Sequence, residues 1–241
     1  MRNRFTTPIT YFLQEGKENL NATLAIAFRA ARLHGIGKIV IFTAMGEGVR
    51  LAIEKFLTQP DYENIKIVAV TFPQGKKFTD ANKVPIKVEI PAKDVALFRD
   101  RGISIVSAHL PFDTIASSFK QRGVLAQDLG LVGDALQMFG GSMSLCVQAI
   151  TLACDAGAVE LAEHVISLTS DTAILAQATN TSRMLEELTI REILCKPAVM
   201  SIRRKESAEN IISEMPVARR KRLKAPKHSG RPSLPERSST S

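Results

Sequence analysis

Short apolar runs rich in β-branched residues alternate along residues 1–200 with segments whose apolar residues recur at helical spacing. The strand-like runs are Lys38–Thr43, Ile65–Thr71, Ile103–Ser107, Val165–Leu168, Thr172–Ala176 and Leu188–Cys195. Their nearly continuous apolarity is typical of strands that helices cover on both faces. Because strand and helix patterns alternate, the chain is predicted to form βαβ units and an α/β domain with a mainly parallel sheet.

The helical segments each carry an apolar stripe at i, i+3, i+4 or i+7 spacing. The stripes are Leu24, Phe28 and Ala31; Ile53, Phe56 and Leu57; and Val132, Ala135, Leu136 and Phe139. A further helix around Leu145, Ala149, Leu152 and Ala153 is small and apolar nearly all round. Such a helix is expected to pack in the centre of the fold.

Charge is distributed very unevenly along the 241 residues, whose formal net charge is +8. Residues 216–241 hold eight basic side chains and one acidic one, whereas residues 1–215 hold 24 basic and 23 acidic ones. We therefore expect a nearly neutral folded domain over residues 1–202 and a basic, disordered tail over residues 203–241. The basic run in Arg219–Lys224 suits nucleic acid, an anionic surface or another acidic partner. The alternative is a solvated appendage without a specific partner.

The cysteine and hydropathy patterns indicate in which cellular compartment the protein is expected. The three cysteines, Cys146, Cys154 and Cys195, lack CxxC spacing, so neither a disulfide framework nor a zinc site is expected, and a reducing compartment follows. Neither a secretory signal nor a transmembrane segment is evident, so we expect a cytoplasmic location. Aromatic residues make up only 5% of the chain, which argues against base stacking on single-stranded nucleic acid by the folded part.

Loops that follow strands are the places where an open α/β sheet binds ligands. The loop Thr43–Gly48 follows the first predicted strand and contains two glycines that would let backbone amides approach a phosphate. It matches neither of the standard glycine-rich nucleotide-binding motifs. A tight turn that needs glycine at the start of a helix is an equally good explanation.

Several motifs in a fixed order resemble the stand-alone proteins built as the C-terminal α/β domain of pyruvate kinase. They are YF-x3-GKEN, DALQMFGG, ACDAGAVELAEHVISL, DTAIL and IREILCKP, and they cover approximately Tyr11–Pro197. The resemblance implies a three-layer α/β/α domain without catalytic residues that contributes to assembly. It also implies a phosphate-bearing ligand at the strand-end loops, of which flavin mononucleotide (FMN) is one candidate.

Departures from that family lie where its ligand would bind. Met45 and Gly48 stand where hydroxyl groups are expected, and Ser144 and Gln148 replace a lysine and a glutamate. Phe72-Pro73 replaces paired histidines, and a glycine-rich loop is shortened to Leu168–Ala173. Together these changes predict a ligand that has changed, weakened or been lost.

Nine residues remain as candidate ligand contacts: Lys17, Glu18, Asn19, Thr43, Gly46, Glu47, Thr71, His109 and Asp171. In a binding site, Lys17 would supply a charge, Thr43 and Thr71 hydroxyls, and the amides from Gly46 onward an anion cap. Glu18 and Asn19 would bind sugar hydroxyls. The competing explanation makes Asn19 or Asn21 a helix N-cap and Glu18 a first-turn acid.

The sequence features and the resemblance together suggest two alternative functions. The first is a small-ligand domain for a phosphorylated metabolite or flavin-like nucleotide. The second is an interaction or homo-oligomerisation protein with a decayed site and a tail that contacts acidic partners. An enzyme using His109 and Thr43 is a third reading, but no catalytic or metal-binding residue is assigned. Pyruvate kinase activity is not expected, because the catalytic barrel alone takes about 250 residues.

Overall fold

A computed structural model describes residues 6–79, 84–112, 127–140 and 142–198. The predicted boundary at residue 202, the tail over residues 203–241 and its basic run lie outside the described residues. The domain prediction therefore stays a prediction.

Within the described residues, seven strands form the main sheet and two more form a separate antiparallel hairpin. In chain order the strands are β1 (Thr10–Phe12), β2 (Lys38–Phe42), β3 (Lys66–Thr71), β4 (Lys77–Thr79), β5 (Pro85–Lys87), β6 (Ser104–Ser107), β7 (His164–Leu168), β8 (Ala173–Gln177) and β9 (Thr189–Pro197). The main sheet has the order β1-β9-β8-β7-β2-β3-β6, and β4 pairs with β5. All six strands predicted from the apolar runs are confirmed, with ends that differ by one or two residues.

Six helices accompany the described strands. They are α1 (Leu20–His34), α2 (Glu47–Lys55), α3 (Ala92–Asp100), α4 (Gln127–Gln137), α5 (Met143–Asp155) and α6 (Met184–Glu187). Helix α5 is buried nearly all round, which confirms the prediction of a central apolar helix. Two predicted stripes extend past their helices, because Phe56 and Leu57 follow the end of α2 and Phe139, half-exposed, follows the end of α4. None of the described helices is long and apolar enough to cross a membrane.

Alternate residues of the strands build two hydrophobic cores on opposite faces of the sheet. Ile39 and Ile41 pack with residues of α1, α2 and α3, whereas Val40 and Phe42 pack with residues of α5. Successive side chains of a strand point to opposite faces, so a strand covered on both sides is apolar throughout. The described domain therefore has three layers, with helices on both faces of the sheet.

Among the described strands of the main sheet, β8 alone runs in the opposite direction. It is antiparallel to both β7 and β9, while the remaining pairs of this sheet are parallel. The reason is the four-residue connection between Leu168 and Ala173, since a parallel pair needs a crossover of a dozen residues or more. The expectation of a mainly parallel sheet is confirmed.

Candidate functional site

A cleft of about 240 Å³ opens at the carboxyl end of β2. Strand β2 continues through α2 to β3 on one side, whereas β7, its other neighbour, continues to β8 on the opposite side. Connections that diverge in this way leave the crevice in which α/β sheets bind ligands. The lining residues are Lys17, Leu20, Phe42, Thr43, Ala44, Glu47, Gly48, Phe72, Ser142, Leu145, Thr169 and Ser170.

The cleft has an apolar wall and a polar rim. Leu20, Phe42, Phe72 and Leu145 supply the wall, with the rings of Phe42 and Phe72 packed edge to face at 5.0 Å between centroids. Helices α1, α2 and α5 all begin at the cleft. The partial positive charge of a helix N-terminus favours negative groups nearby. The arrangement suits a small molecule that is largely apolar and carries few polar groups.

The loop between β2 and α2 satisfies its own hydrogen bonds. The hydroxyl of Thr43 accepts from the Gly46 N–H at 3.0 Å and donates to the carboxylate of Glu47 at 3.2 Å. The same Oε2 atom of Glu47 accepts from the Met45 N–H at 3.1 Å. An internal carboxylate therefore occupies the start of α2, where the sequence predicts an anion cap.

Glu47 is held in its charged form at this position. Partial burial acts to raise its pKa, but the backbone N–H groups of Glu47 and Met45 and the ammonium of Lys17 outweigh it, so the pKa lies below its ordinary value. Lys17 Nζ lies 3.4 Å from Glu47 Oε1, and its side chain remains 81% exposed. A ligand that approaches the rim therefore meets a carboxylate as well as the lysine.

Gly46 is required by the backbone geometry of the loop. Its φ is +86°, in the left-handed region, and an added Cβ would lie 3.2 Å from the ring of Phe98 and 3.3 Å from Ile90. Only glycine adopts this conformation without strain and without displacing those side chains. The second glycine, Gly48, lies at the cleft in the first turn of α2, and its added Cβ would meet Ile41 at 3.0 Å.

Thr71, at the end of β3, holds the loop between β2 and α2 through a hydrogen bond. Its buried hydroxyl donates to the carbonyl of Ala44 at 3.4 Å, which connects the end of β3 to the loop after β2. Thr71 does not line the cleft, so it acts in this structure by holding Ala44 in place.

Asp171 is not among the residues that line the cleft. Its buried carboxylate accepts from the Gly16 N–H at 3.1 Å and from the hydroxyls of Thr172 and Thr169 at 3.1 and 3.5 Å. Beside it, the hydroxyl of Thr23 donates to the carbonyl of Ser170 at 3.0 Å. These bonds hold the β7–β8 turn, which contributes Thr169 and Ser170 to the cleft, against the start of α1.

Three further sequence candidates lie outside the cleft. Glu18 and Asn19 belong to a 3-10 turn before α1, and the Asn19 amide donates to the carbonyl of Gln14 at 2.8 Å. Asn19 thus stands at the N-cap position of α1 without a capping side-chain bond. His109 is exposed beyond β6, two strands away from β2 in the sheet. Of the nine candidates, Lys17, Thr43 and Glu47 line the cleft.

Ser144 and Gln148, which stand in for a lysine and a glutamate of the resembled family, contact each other on α5. Gln148 Nε2 donates to Ser144 Oγ at 3.1 Å, and Gln148 Oε1 accepts from the Phe112 N–H at 3.0 Å. Both side chains are buried. A neutral hydrogen-bonded pair therefore fills these positions without adding charge near the cleft.

Sequence reasoning did not identify the apolar wall. Leu20 and Leu145 occupy ordinary apolar helix positions, so nothing in the sequence marks them as cleft residues. Phe72 was identified only as the replacement of a histidine. Because Phe72 directly follows β3, and strand ends on one edge of the sheet converge, its position could have predicted that it lines the cleft.

No protein-family model matches the chain. Among the described residues, no group of three His, Cys, Asp or Glu side chains is arranged to hold a metal ion. Fold and site together define a mixed α/β domain with a mostly parallel sheet and an open, mainly apolar cleft at its strand ends.

Proposed function

We propose that this domain binds a small organic ligand in the strand-end cleft and acts as a binding domain rather than as a pyruvate kinase. The proposed ligand is a phosphorylated metabolite or a flavin-like nucleotide. The proposal assigns the ligand to the space between the apolar wall and the rim formed by Lys17, Thr43 and Glu47.

One observation carries this proposal: the cleft lies at the β2–β7 divergence, where three helices begin. Its volume of about 240 Å³ accommodates part of a drug-sized molecule, and its wall offers two aromatic rings. The resemblance to the pyruvate kinase C-terminal domain also implies a ligand site at this edge of the sheet. Kinship with that family is itself part of the proposal.

A cleft-filling substitution tests the site directly. Ala44 lines the cleft and is partly exposed, so Ala44→Phe places a ring in the space that a ligand would use. Ala96→Phe is the matched control, since Ala96 is exposed on α3 away from the cleft. A ligand selective for the native state raises the melting temperature.

The measurement is thermal unfolding with a panel of phosphorylated metabolites and nucleotides, together with mass spectrometry of small molecules that co-purify. We expect at least one ligand to stabilise the wild-type protein and the Ala96→Phe variant but not a folded Ala44→Phe variant. A complete lack of stabilisation across the panel, with no co-purifying molecule, contradicts the proposal. Equal stabilisation of both variants places the ligand elsewhere.

A second candidate function, self-association, has one observation in its favour. A groove of about 200 Å³ lies between β1, α1 and β9, and Leu33, one of the residues that line it, is 77% exposed. A second copy of this chain would cover this side chain. Light scattering should then show a dimer that Leu33→Glu dissociates and Leu185→Glu, at an equally exposed position on α6, does not. A monomeric wild-type protein contradicts this candidate.

A further inference from the structure

The apolar wall of the cleft continues beyond its lining residues onto the β4–β5 hairpin. Phe72 packs edge to face against Phe42 on one side and against Phe78 of β4 on the other, both at 5.0 Å between ring centroids. Phe42 and Phe72 line the cleft, so Phe78 lies one ring further out. Three rings thus connect the carboxyl end of β2 to the hairpin.

The hairpin has one apolar face and one basic face. Phe78 pairs directly with Ile86, and Lys77 pairs with Lys87. Directly paired residues of antiparallel strands lie on the same face, and successive residues alternate between faces. Phe78 and Ile86 therefore share the face that contacts Phe72, and each remains 44% exposed. This is an apolar surface beside a cleft rather than a buried core.

A cation lies beside this apolar surface. Lys76 Nζ is positioned over the ring of Phe78, 5.3 Å from its centroid. Lys87, on the other face, pairs with Glu89 at 2.6 Å, whereas within the described residues Lys76 has no carboxylate partner. The ammonium of Lys76 is thus available to a negative group placed against Phe78.

The start of α2, at the cleft, is unsuited to that negative group. Glu47 already accepts the hydrogen bonds of Thr43 and the Met45 N–H at the start of α2, and it lies within 3.4 Å of Lys17. A second anion at this place would have to displace a carboxylate that is held in its charged form.

We propose that the cleft takes a planar aromatic ligand that extends along Phe72 and Phe78, with its anionic group at Lys76 rather than at the start of α2. This inference rests on the proposed function and names the ligand class and its orientation. Stacking on Phe78 adds contact area, and the charge of Lys76 adds selectivity for the anionic form.

Two flavins separate the ring contribution from the charge contribution. FMN and riboflavin share one ring system and differ by a phosphate group, so the ratio of their affinities measures what the phosphate adds. Fluorescence titration of the full chain at low salt should give FMN an advantage of about tenfold, equivalent to about 1.4 kcal/mol. Lys76→Met should remove this advantage and leave riboflavin affinity unchanged.

Lys77→Met is the matched control, because Lys77 is the neighbouring lysine on the opposite face of the hairpin. It should leave both affinities within about twofold, since an exposed charge away from the ligand is screened. Phe78→Ala should weaken both flavins about equally. A Phe78 that merely anchors the hairpin would instead change thermal stability and leave both affinities unchanged.

Several outcomes overturn the inference while leaving the proposed function standing. They are equal affinity of the wild-type protein for both flavins, an unchanged ratio in Lys76→Met, and a loss in Lys77→Met as large as in Lys76→Met. Absence of flavin binding also overturns the inference and leaves the proposed function standing, if another ligand stabilises the protein and Ala44→Phe abolishes that stabilisation. If no ligand of the panel binds, the proposed function fails as well.

Discussion

The backbone N–H of Gly16 donates to the carboxylate of Asp171 at 3.1 Å, across 155 positions of the chain. This bond joins the segment before α1 to the β7–β8 turn, and both segments supply residues of the cleft. Because Thr169 and Thr172 donate to the same carboxylate, one buried side chain holds together two segments that line the cleft.

Asp171→Ala should destabilise the protein by about 3 kcal/mol. The substitution leaves the Gly16 N–H and two threonine hydroxyls without their acceptor, and each buried donor that loses its partner costs about 1–3 kcal/mol. Asp171→Asn retains one acceptor oxygen and should cost less. Urea unfolding followed by circular dichroism measures both. Asp100→Ala, at an exposed position, is the control, and equal effects of Asp100→Ala and Asp171→Ala would contradict the prediction.

Three glycines provide a graded test of backbone strain. Gly46 combines a φ of +86° with Cβ contacts at 3.2–3.3 Å, Gly35 has a φ of +66° in open space, and Gly37 has neither constraint. Alanine in the left-handed region costs about 1–2 kcal/mol, and crowding adds to that cost.

The free energy of unfolding should therefore fall most for Gly46→Ala, by about 2 kcal/mol or more, and by about 1 kcal/mol for Gly35→Ala. Gly37→Ala should be neutral or slightly stabilising, because alanine restricts the unfolded chain. Any other order of the three variants in chemical denaturation would show that the loop before α2 relaxes around a side chain.

The main strands were predictable from sequence for a clear physical reason. A strand covered on both faces has no polar alternation, and Lys38–Phe42 and Lys66–Thr71 show this directly. Strands β1, β4 and β5 were missed because three residues are too few for a period to be recognised. The reversal of β8 was predictable in principle, since a connection of four residues excludes a parallel crossover.

The candidate site was predictable only in part. The rule on strand ends located the Thr43–Gly48 loop, and Thr43 and Glu47 do line the cleft. The rule cannot tell a donor that is available to a ligand from one that the loop itself uses, as with the Gly46 N–H and the Thr43 hydroxyl. Asp171 and Thr71 illustrate the same limit, because their hydrogen-bond partners come from distant segments.

Glu47 should contribute stability that depends on pH in a defined direction. Its pKa in the folded protein lies below the ordinary value of 4.5, so the charged form is favoured by folding. The contribution is therefore complete above about pH 4.5 and is lost as the pH falls through the lowered folded-state pKa. Glu47→Gln removes this contribution, so the stability difference between wild type and variant should shrink as the pH falls below 4.5.

Urea unfolding between about pH 3 and pH 7 measures that difference. Glu54→Gln is the control, because Glu54 is exposed on the same helix. A difference for Glu47→Gln that is independent of pH would mean that hydrogen-bond geometry, rather than the charge, carries the effect. A similar pH dependence for Glu54→Gln would point to a general charge effect of α2.

The three thiols should differ in reactivity according to their burial. Burial raises the pKa of Cys195 to about 12 and that of the fully buried Cys146 further still. The pKa of the partly exposed Cys154 rises to about 11, through partial burial and the nearby carboxylates of Asp155 and Glu163. The thiolate is the reactive form, so Cys154 is the site at which the native protein should be alkylated.

Mass spectrometry after brief iodoacetamide treatment should show slow labelling of Cys154 alone in native protein and labelling of all three cysteines in guanidinium. The rate for Cys154 should rise about tenfold for each pH unit between pH 7 and pH 9, because the thiolate fraction rises in that proportion below the pKa. Cys154→Ser should abolish native labelling. Rapid labelling of Cys146 or Cys195 without denaturant would mean that the core containing that cysteine opens readily, which the burial of both thiols does not predict.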